Sequence, residues 1–376
     1  MLPSGWQRKT ISEILDKVST PVDIVATEKY CEIGIRSHAK GIFHKEPITG
    51  KSLGNKRVFH IVPNCFVVNI VFAWEQAVAK TTVNELGMIA SHRFPMFKPK
   101  AEKCDIDYIL YLFKTAHGKH LLGLASPGGA GRNKTLGQSE FAKLTVSLPP
   151  IKEQLKIAKI LMTWDLAIEA TEKLINNSKK QRKALIQKLL TGKQRIAGFN
   201  GEWTFSRFEE IFKVANDKKM QIKSSDYSET GFTPIIDQGQ KAVAAYTNTN
   251  IVYKDIPVII FGDHTKIVKW VDFPFALGAD GTQVIKTKSQ LNVKFGYYLI
   301  SNATLPNLGY SRHMGALKEK EFKYPVSLDE QEKIVAILTI ADREIETLQQ
   351  KHQLLNYEKK ALMQQLVTGK KRVSIN

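Results

Sequence analysis

Three absences narrow what this chain can be. Cysteine is scarce: Cys31, Cys65 and Cys104 are scattered, odd in number and lack CxxC or Cys/His spacing, so neither a disulfide framework nor a structural zinc site is indicated. They read as small buried hydrophobes. Long apolar runs are missing too, since no stretch approaches the roughly 18 residues of a membrane span. The opening MLPSGWQRKT has no apolar signal core, and the expected location is cytoplasmic.

The third absence is catalytic. An adenine methyltransferase needs an NPPY-like turn and a glycine loop for its cofactor, but the one PP pair is Pro149-Pro150 in SLPPIKEQ. GGAGR at 128–132 has the wrong spacing and no acidic residue placed for a ribose. Glu321-Phe322-Lys323 is half of a metal-nuclease pattern without the preceding Pro-Asp. TGK at 191–193 and 368–370 lacks the GxxxxGK[ST] spacing of a phosphate loop. The expectation is a non-catalytic chain with no catalytic residue, no metal site and no bound cofactor.

What is abundant is positive charge. The 376 residues are 43% hydrophobic, enough for two or three domains with cores, and carry a net charge of +19. Such a field attracts polyanions, with nucleic acid as the natural partner and salt-sensitive binding as the corollary. The excess favours the first half: residues 1–151 carry +8 and 152–195 carry +7, against +2 for 196–329 and +2 for 330–376.

The chain also repeats itself. Glu153 set against Glu330 aligns without a gap to Arg195 against Arg372, with about 18 of 43 positions identical. QKLLTGKQR (187–195) and QQLVTGKKR (364–372) close the two copies, and Trp6 in SGWQRKTISEIL matches Trp203 in NGEWTFSRFEEIF more faintly. In the first copy Ile157, Leu161, Trp164, Ile168, Thr171, Ile175, Ser178, Arg182, Leu185 and Leu189 step by alternating fours and threes. The second copy answers with Ile334, Leu338, Ala341, Ile345, Leu348, His352, Leu355, Lys359, Leu362 and Leu366. A mostly apolar seam at 3.5-residue period without internal Gly or Pro predicts a long helix meeting another helix. At 1.5 Å per residue, roughly 40 residues make a rod of about 60 Å. Each copy's expected partner is the other, antiparallel, about an internal pseudo-twofold axis. Polar seam residues such as Ser178, Arg182, His352 and Lys359 then fix register or face water. Pro149-Pro150 mark the first helix start, and Gly192 and Gly369 the two ends. The second copy has no Pro-Pro.

Between the helices lie variable segments, giving four regions: 1–148, a first recognition domain; 149–195, a first long helix; 196–328, a second domain; and 329–376, a second long helix. The runs at 58–74, 250–264 and 282–288 read as strands, and 105–116 and 293–303 as helices, so each segment is a mixed α/β domain. Glycine-bearing loops at 126–137, 235–246, 261–270 and 308–318 combine close backbone approach with donors suited to base edges and phosphates. The candidate contacts are Arg36, Lys56, Arg57, Arg93, Arg132, Asn133 and Lys134 in the first domain. In the second they are Gln238, Gln240, Lys241, His264, Lys266, Tyr310, Ser311, Arg312 and His313. Arg132 and Arg312 each stand about ten residues before a Phe, Phe141 and Phe322. An arginine tying the loop to its own domain fits that pattern equally well.

These residues carry a resemblance over essentially the whole chain. VSLPPIKEQLKIAKIL, TWDLAIEATEKLI, VSLDEQEKIVAIL and the GDHT and GADGT pieces resemble the specificity subunit of type I restriction-modification systems. That resemblance implies a non-catalytic, sequence-specific reader of double-stranded DNA, taking one part of a bipartite target with each domain. It implies two modification subunits that bring S-adenosylmethionine and methylate adenine, and restriction subunits that bring ATP, Mg and cleavage. Helix faces outside the seam, with Lys156, Lys159 and Glu169, would dock the modification subunits. Two other classes compete: a self-contained nuclease or methyltransferase, and an RNA-binding or scaffolding protein that uses the helices only to oligomerise.

Overall fold

The computed structural model describes residues 2–128, 134–279, 281–309 and 311–375. It divides into two units, residues 1–172 with 351–376, and residues 173–350. The first long helix, Ile151–Leu189, and the second, Leu328–Val367, each contribute to both units.

In the first unit, β1 (Gln7–Thr10), α1 (Ile11–Ile14) and β2 (Leu15–Val18) open the chain. They are followed by β3 (Val58–His60), β4 (Phe66–Val68), β5 (Val78–Lys80), β6 (Ile89–Ser91) and β7 (Met96–Pro99). Then come α2 (Ile106–Lys114), α3 (Gln138–Lys143) and β8 (Thr145–Leu148). An antiparallel sheet runs β2-β7-β4-β5, with Met96 opposite both Val18 and Val67, while β1 pairs with β8. The sheet, α2 and α3 bury Phe66, Phe113 and Phe141 against Ile157 and Leu161 of the first long helix and Leu366 and Val367 of the second. Burial of each such side chain is worth about 1.5–3 kcal/mol, so domain and helices fold as one core.

The second unit repeats the plan. Its elements are β9 (Trp203–Arg207), α4 (Phe208–Ile211), β10 (Phe212–Val214), β11 (Thr233–Ile236) and β12 (Ala245–Thr247). They continue with β13 (Val258–Gly262), β14 (Val268–Val271), β15 (Ala276–Leu277), β16 (Thr282–Thr287), α5 (Val293–Ser301), α6 (Met314–Lys318) and β17 (Glu321–Pro325). Its sheet β10-β16-β13-β14 has the strand order of the first, and β9 pairs with β17 as β1 does with β8. Here Ile186 and Leu189 of the first long helix join Ile334 and Leu338 of the second in a core with Phe208, Phe212 and Phe295. A three-stranded sheet, β12-β11-β15, lies in this unit's variable segment.

Every position of both predicted seams is buried or half-buried, which the 3.5-residue period requires. The polar members pin an antiparallel register within each unit. Asp165 takes an ion pair from Lys359 and the Tyr111 hydroxyl at 2.6 Å. Asp342 takes one from Arg182 and the Tyr298 hydroxyl at 2.7 Å, and Ser178 donates to Glu344 at 2.9 Å. Burial, and then the neighbouring aspartate, pushes both tyrosine pKa values upward, so the hydroxyls stay protonated donors.

The Glu-Gln pair that opens each helix copy also has a structural task. Gln154 accepts from the Asp105 amide at 2.9 Å and donates to the Pro149 carbonyl at 2.9 Å. Gln331 accepts from the Asn292 amide at 2.7 Å and donates to Pro325 at 2.9 Å. Both glutamines are buried, and both tie a long helix to the N-terminus of its domain's helix, α2 or α5. The second long helix starts without Pro-Pro because Ser327 caps it, its hydroxyl accepting from the Glu330 amide at 3.4 Å.

Candidate DNA interface

In the second unit four loops converge at one end of the sheet. The Asp263 amide donates to the Gly281 carbonyl at 2.8 Å, joining the β13–β14 turn to the segment before β16. The His264 amide donates to Gln238 Oε1 at 3.1 Å, and the Thr265 hydroxyl to the Gln238 carbonyl at 2.7 Å, which adds the loop after β11. The His313 amide and ring Nδ1 reach the Asp263 carbonyl at 2.8 and 2.9 Å, which adds the segment before α6. Gly281, at φ +85°, is required here because a Cβ would lie 2.5 Å from Gln238 Nε2.

The sequence candidates therefore meet. Gln240, Lys241, Ser311 and Arg312 are exposed at this end, and Gln238, His264 and Lys266 are half-buried, with Lys266 in a left-handed turn conformation at φ +59°. His313 is different: at 0% exposure it lies in the interior, where its ring braces the Asp263 loop instead of facing solvent. Tyr310 lies outside the described residues.

The first unit builds the same end with different letters. The Ile70 amide donates to the Arg93 carbonyl at 3.0 Å, and the Leu136 amide to the Ile70 carbonyl at 2.8 Å. Ile70, Arg93 and Leu136 thus occupy the places of Asp263, Gly281 and His313. Arg93 is joined there by Lys56 and Arg57, through the His92 amide bonding the Arg57 carbonyl at 3.0 Å. Arg36 precedes a turn held by the amides of His38 and Ala39 on the carbonyls of Glu75 and Gln76, at 2.7 and 2.8 Å, and its guanidinium lies 4.7 Å from the Phe43 ring centre. Lys134 sits 5.7 Å from the Trp74 ring centre. Arg132 and Asn133 lie outside the described residues.

Two findings differ from the sequence reading. Counting back from Leu136 and His313, the counterpart of Arg312 is Thr135, not Arg132. The spacing to a Phe misled because Phe141 lies in α3 whereas Phe322 lies in β17. His92 was missed. It lines both a hollow of about 450 Å³ with Arg93 and with Lys45 and Lys56, which pair with the buried Glu32 at 3.4 and 3.7 Å, and one of about 250 Å³ with Lys17, Arg57 and Gln138. The basic, proline-flanked SHRFP turn was its available signal.

Chemically, this end offers arginine, lysine, amide and imidazole donors on loops fixed by backbone hydrogen bonds, which suits recognition of base edges and phosphates. Among the described residues no cluster of three or more His, Cys, Asp or Glu could hold a metal ion, and no helix is long and apolar enough to cross a membrane.

Comparison with known proteins points the same way. A protein of Methanocaldococcus jannaschii, assigned as the type I restriction enzyme MjaX specificity subunit, is 22% identical, with 99% of this chain and 95% of the relative covered. The S subunit of a type I restriction-modification system from M. genitalium superimposes with a TM-score of 0.67 at 15% identity, covering 100% of this chain and 99% of that one. A chain solved in work on complex assembly and conformational transition of the type I R-M system gives 0.58 at 16% identity, with 98% of both covered. A family model described as the Type I restriction modification DNA specificity domain matches twice, over residues 3–178 and 200–357, and the chain belongs to that family.

Proposed function

We propose that this chain is the DNA-reading subunit of a type I restriction-modification complex, each domain reading one part of a two-part sequence. One observation carries the reading: both domains present the same loop end on the same backbone frame, with Ile70, Arg93 and Leu136 in one and Asp263, Gly281 and His313 in the other. A conserved frame with changed side chains is what two different half-sites demand. The long helices set the spacing between half-sites. Contacts come from Arg36, Lys56, Arg57, Arg93, Lys134, Gln238, Gln240, Lys241, His264, Lys266, Ser311 and Arg312.

The chemistry belongs to partners. Two modification subunits dock on helix faces outside the seam, where Lys156, Lys159 and Glu169 are exposed, and bring S-adenosylmethionine for adenine methylation. Restriction subunits bring ATP and Mg, and the complex works in the cytoplasm.

Reconstitution tests this. The purified chain alone should transfer no methyl group from labelled S-adenosylmethionine to duplex DNA, while addition of the modification subunit should give sequence-dependent adenine methylation. Methylation by the chain alone, or none on adding the modification subunit, contradicts the proposal.

A further inference from the structure

Glu32 and Asn69 of the first domain are buried, at 6% and 8% exposure, and each has satisfied only one of its two polar side-chain atoms. Glu32 Oε2 lies 3.4 and 3.7 Å from Lys45 and Lys56, while Oε1 accepts no hydrogen bond among the described residues. Asn69 Oδ1 accepts from the Val71 amide at 3.1 Å, while Nδ2 has no acceptor among the described residues. The side-chain atoms there that are fully enclosed without a partner are Trp6 Nε1 and Thr249 Oγ1, so Glu32 Oε1 and Asn69 Nδ2 reach solvent. The surface the two residues share is the hollow of about 450 Å³ beside His92 and Arg93. A buried carboxylate with one oxygen left open is costly, and two exposed lysines gain little from it.

Resting on the functional reading above, we propose that Glu32 and Asn69 are specificity-determining residues for the half-site of the first domain, reading the exocyclic amino group of one base in the major groove. Glu32 accepts from the amino group and Asn69 donates to the acceptor beside it. Two bases carry that chemistry: adenine, with N6 next to N7, and cytosine, with N4 next to O6 of its paired guanine. Guanine O6 or thymine O4 in the same place sets acceptor against acceptor, which is how a site rejects the wrong base.

The surroundings favour a reading task over a fold task. A carboxylate on a DNA-facing surface repels phosphates whatever the sequence, and Lys45 and Lys56 beside Glu32 offset that repulsion. The loop frame closes without the amide too. Gly262 precedes Asp263 in the second domain as Asn69 precedes Ile70 in the first, and both frames make their backbone bonds, Asp263 to Gly281 at 2.8 Å and Ile70 to Arg93 at 3.0 Å.

The test uses the full complex with its modification subunit and duplexes randomised in the first half-site, read by which are bound, so that the methylated adenine does not itself set the profile. At one position the preferred base should be adenine or cytosine, and its analogue without the amino group, purine or 2-pyrimidinone, should bind roughly tenfold more weakly. 7-Deazaadenine, which lacks N7, separates the two sources, since it weakens binding further only where the base is adenine. Glu32→Gln, whose amide can donate as well as accept, should admit guanine or thymine at that position. The discrimination should fall roughly tenfold to a hundredfold with the second half-site unchanged. In Glu32→Ala the missing amino group should cost nothing more. Asn69→Asp, which still accepts from Val71 but has no donor, should weaken the preferred base at the same position. The analogues act on unaltered protein, so the inference stands or falls on them even where a variant does not fold. Three outcomes overturn it: amino-deleted analogues bound as tightly at every position of the half-site, an unchanged base profile in Glu32→Gln, or a uniform change on every sequence. An unaltered complex that selects no two-part sequence overturns the functional reading itself, a result distinct from all three.

Discussion

Arg195 and Glu330, 135 residues apart, form a two-pronged ion pair with Nε and Nη2 at 2.7 and 2.8 Å from the carboxylate, and Arg372 and Glu153 form the same pair at the same distances. Each arginine follows the end of one long helix and each glutamate starts the other, within one unit, so the doubled TGKxR phrase is a clasp. Removing the arginine strands a glutamate whose side chain is 1% exposed. Arg195→Ala should therefore cost about 3–5 kcal/mol in urea unfolding, and Arg195→Lys less, because lysine keeps the charge but not the fork. Arg372→Ala should destabilise in the same direction.

The glycines of that phrase are equally constrained. Gly192 and Gly369 sit at φ +70° and +72°, and a Cβ would lie 3.2 Å from the Trp203 ring in one case and 2.5 Å from Pro3 Cγ in the other. Alanine at either position should destabilise by at least about 1 kcal/mol, with the larger loss at Gly369, as thermal melts of the two variants can show.

Asp105 caps α2 by accepting from the Tyr108 amide, yet burial raises its pKa above the ordinary carboxylate range. A raised aspartate pKa means the ionised form is penalised in the folded state, fully above the folded pKa and not at all below the unfolded one. Asn292 does the same capping without charge in the second domain. Asp105→Asn should accordingly raise the melting temperature at pH 7, and the gain should shrink as pH falls through the carboxylate range toward 3. A destabilised variant at pH 7, or a gain independent of pH, would contradict this assignment.

Arg57 and Arg93 are exposed beside the two hollows that His92 lines, and neither has an ion-pair partner among the described residues. With no acid to hold one pose, they suit phosphates. Arg57→Ala and Arg93→Ala should each weaken binding on all sequences and reduce the slope of log K against log salt by about 1, measured by fluorescence anisotropy of the assembled complex. Loss confined to one sequence would mean a base contact instead.

The helices were legible because a seam of fixed period is a local signal repeated many times: Ile157, Leu161, Ile334 and Leu338 announce themselves by spacing and all prove buried. The halves were legible because residues such as Gln154 and Gln331 keep the same partners. The interface was legible only as residue types on loops. Which loops meet depends on long-range backbone bonds such as Ile70 to Arg93, and no periodicity encodes them. Hence His313 looked like a surface donor though it is buried, His92 went unnoticed, and Arg132 was matched to Arg312 by counting toward phenylalanines in unlike elements.

The central claim is that two separable domains each read half of one DNA sequence. Methylome sequencing of cells expressing this chain with its modification subunit tests it most directly, alongside a variant whose residues 1–148 are exchanged for those of a relative. The account predicts a bipartite adenine-methylated motif in which the exchange alters one half and leaves the other half and the spacer unchanged. A single undivided motif, or an exchange that alters both halves, would contradict it.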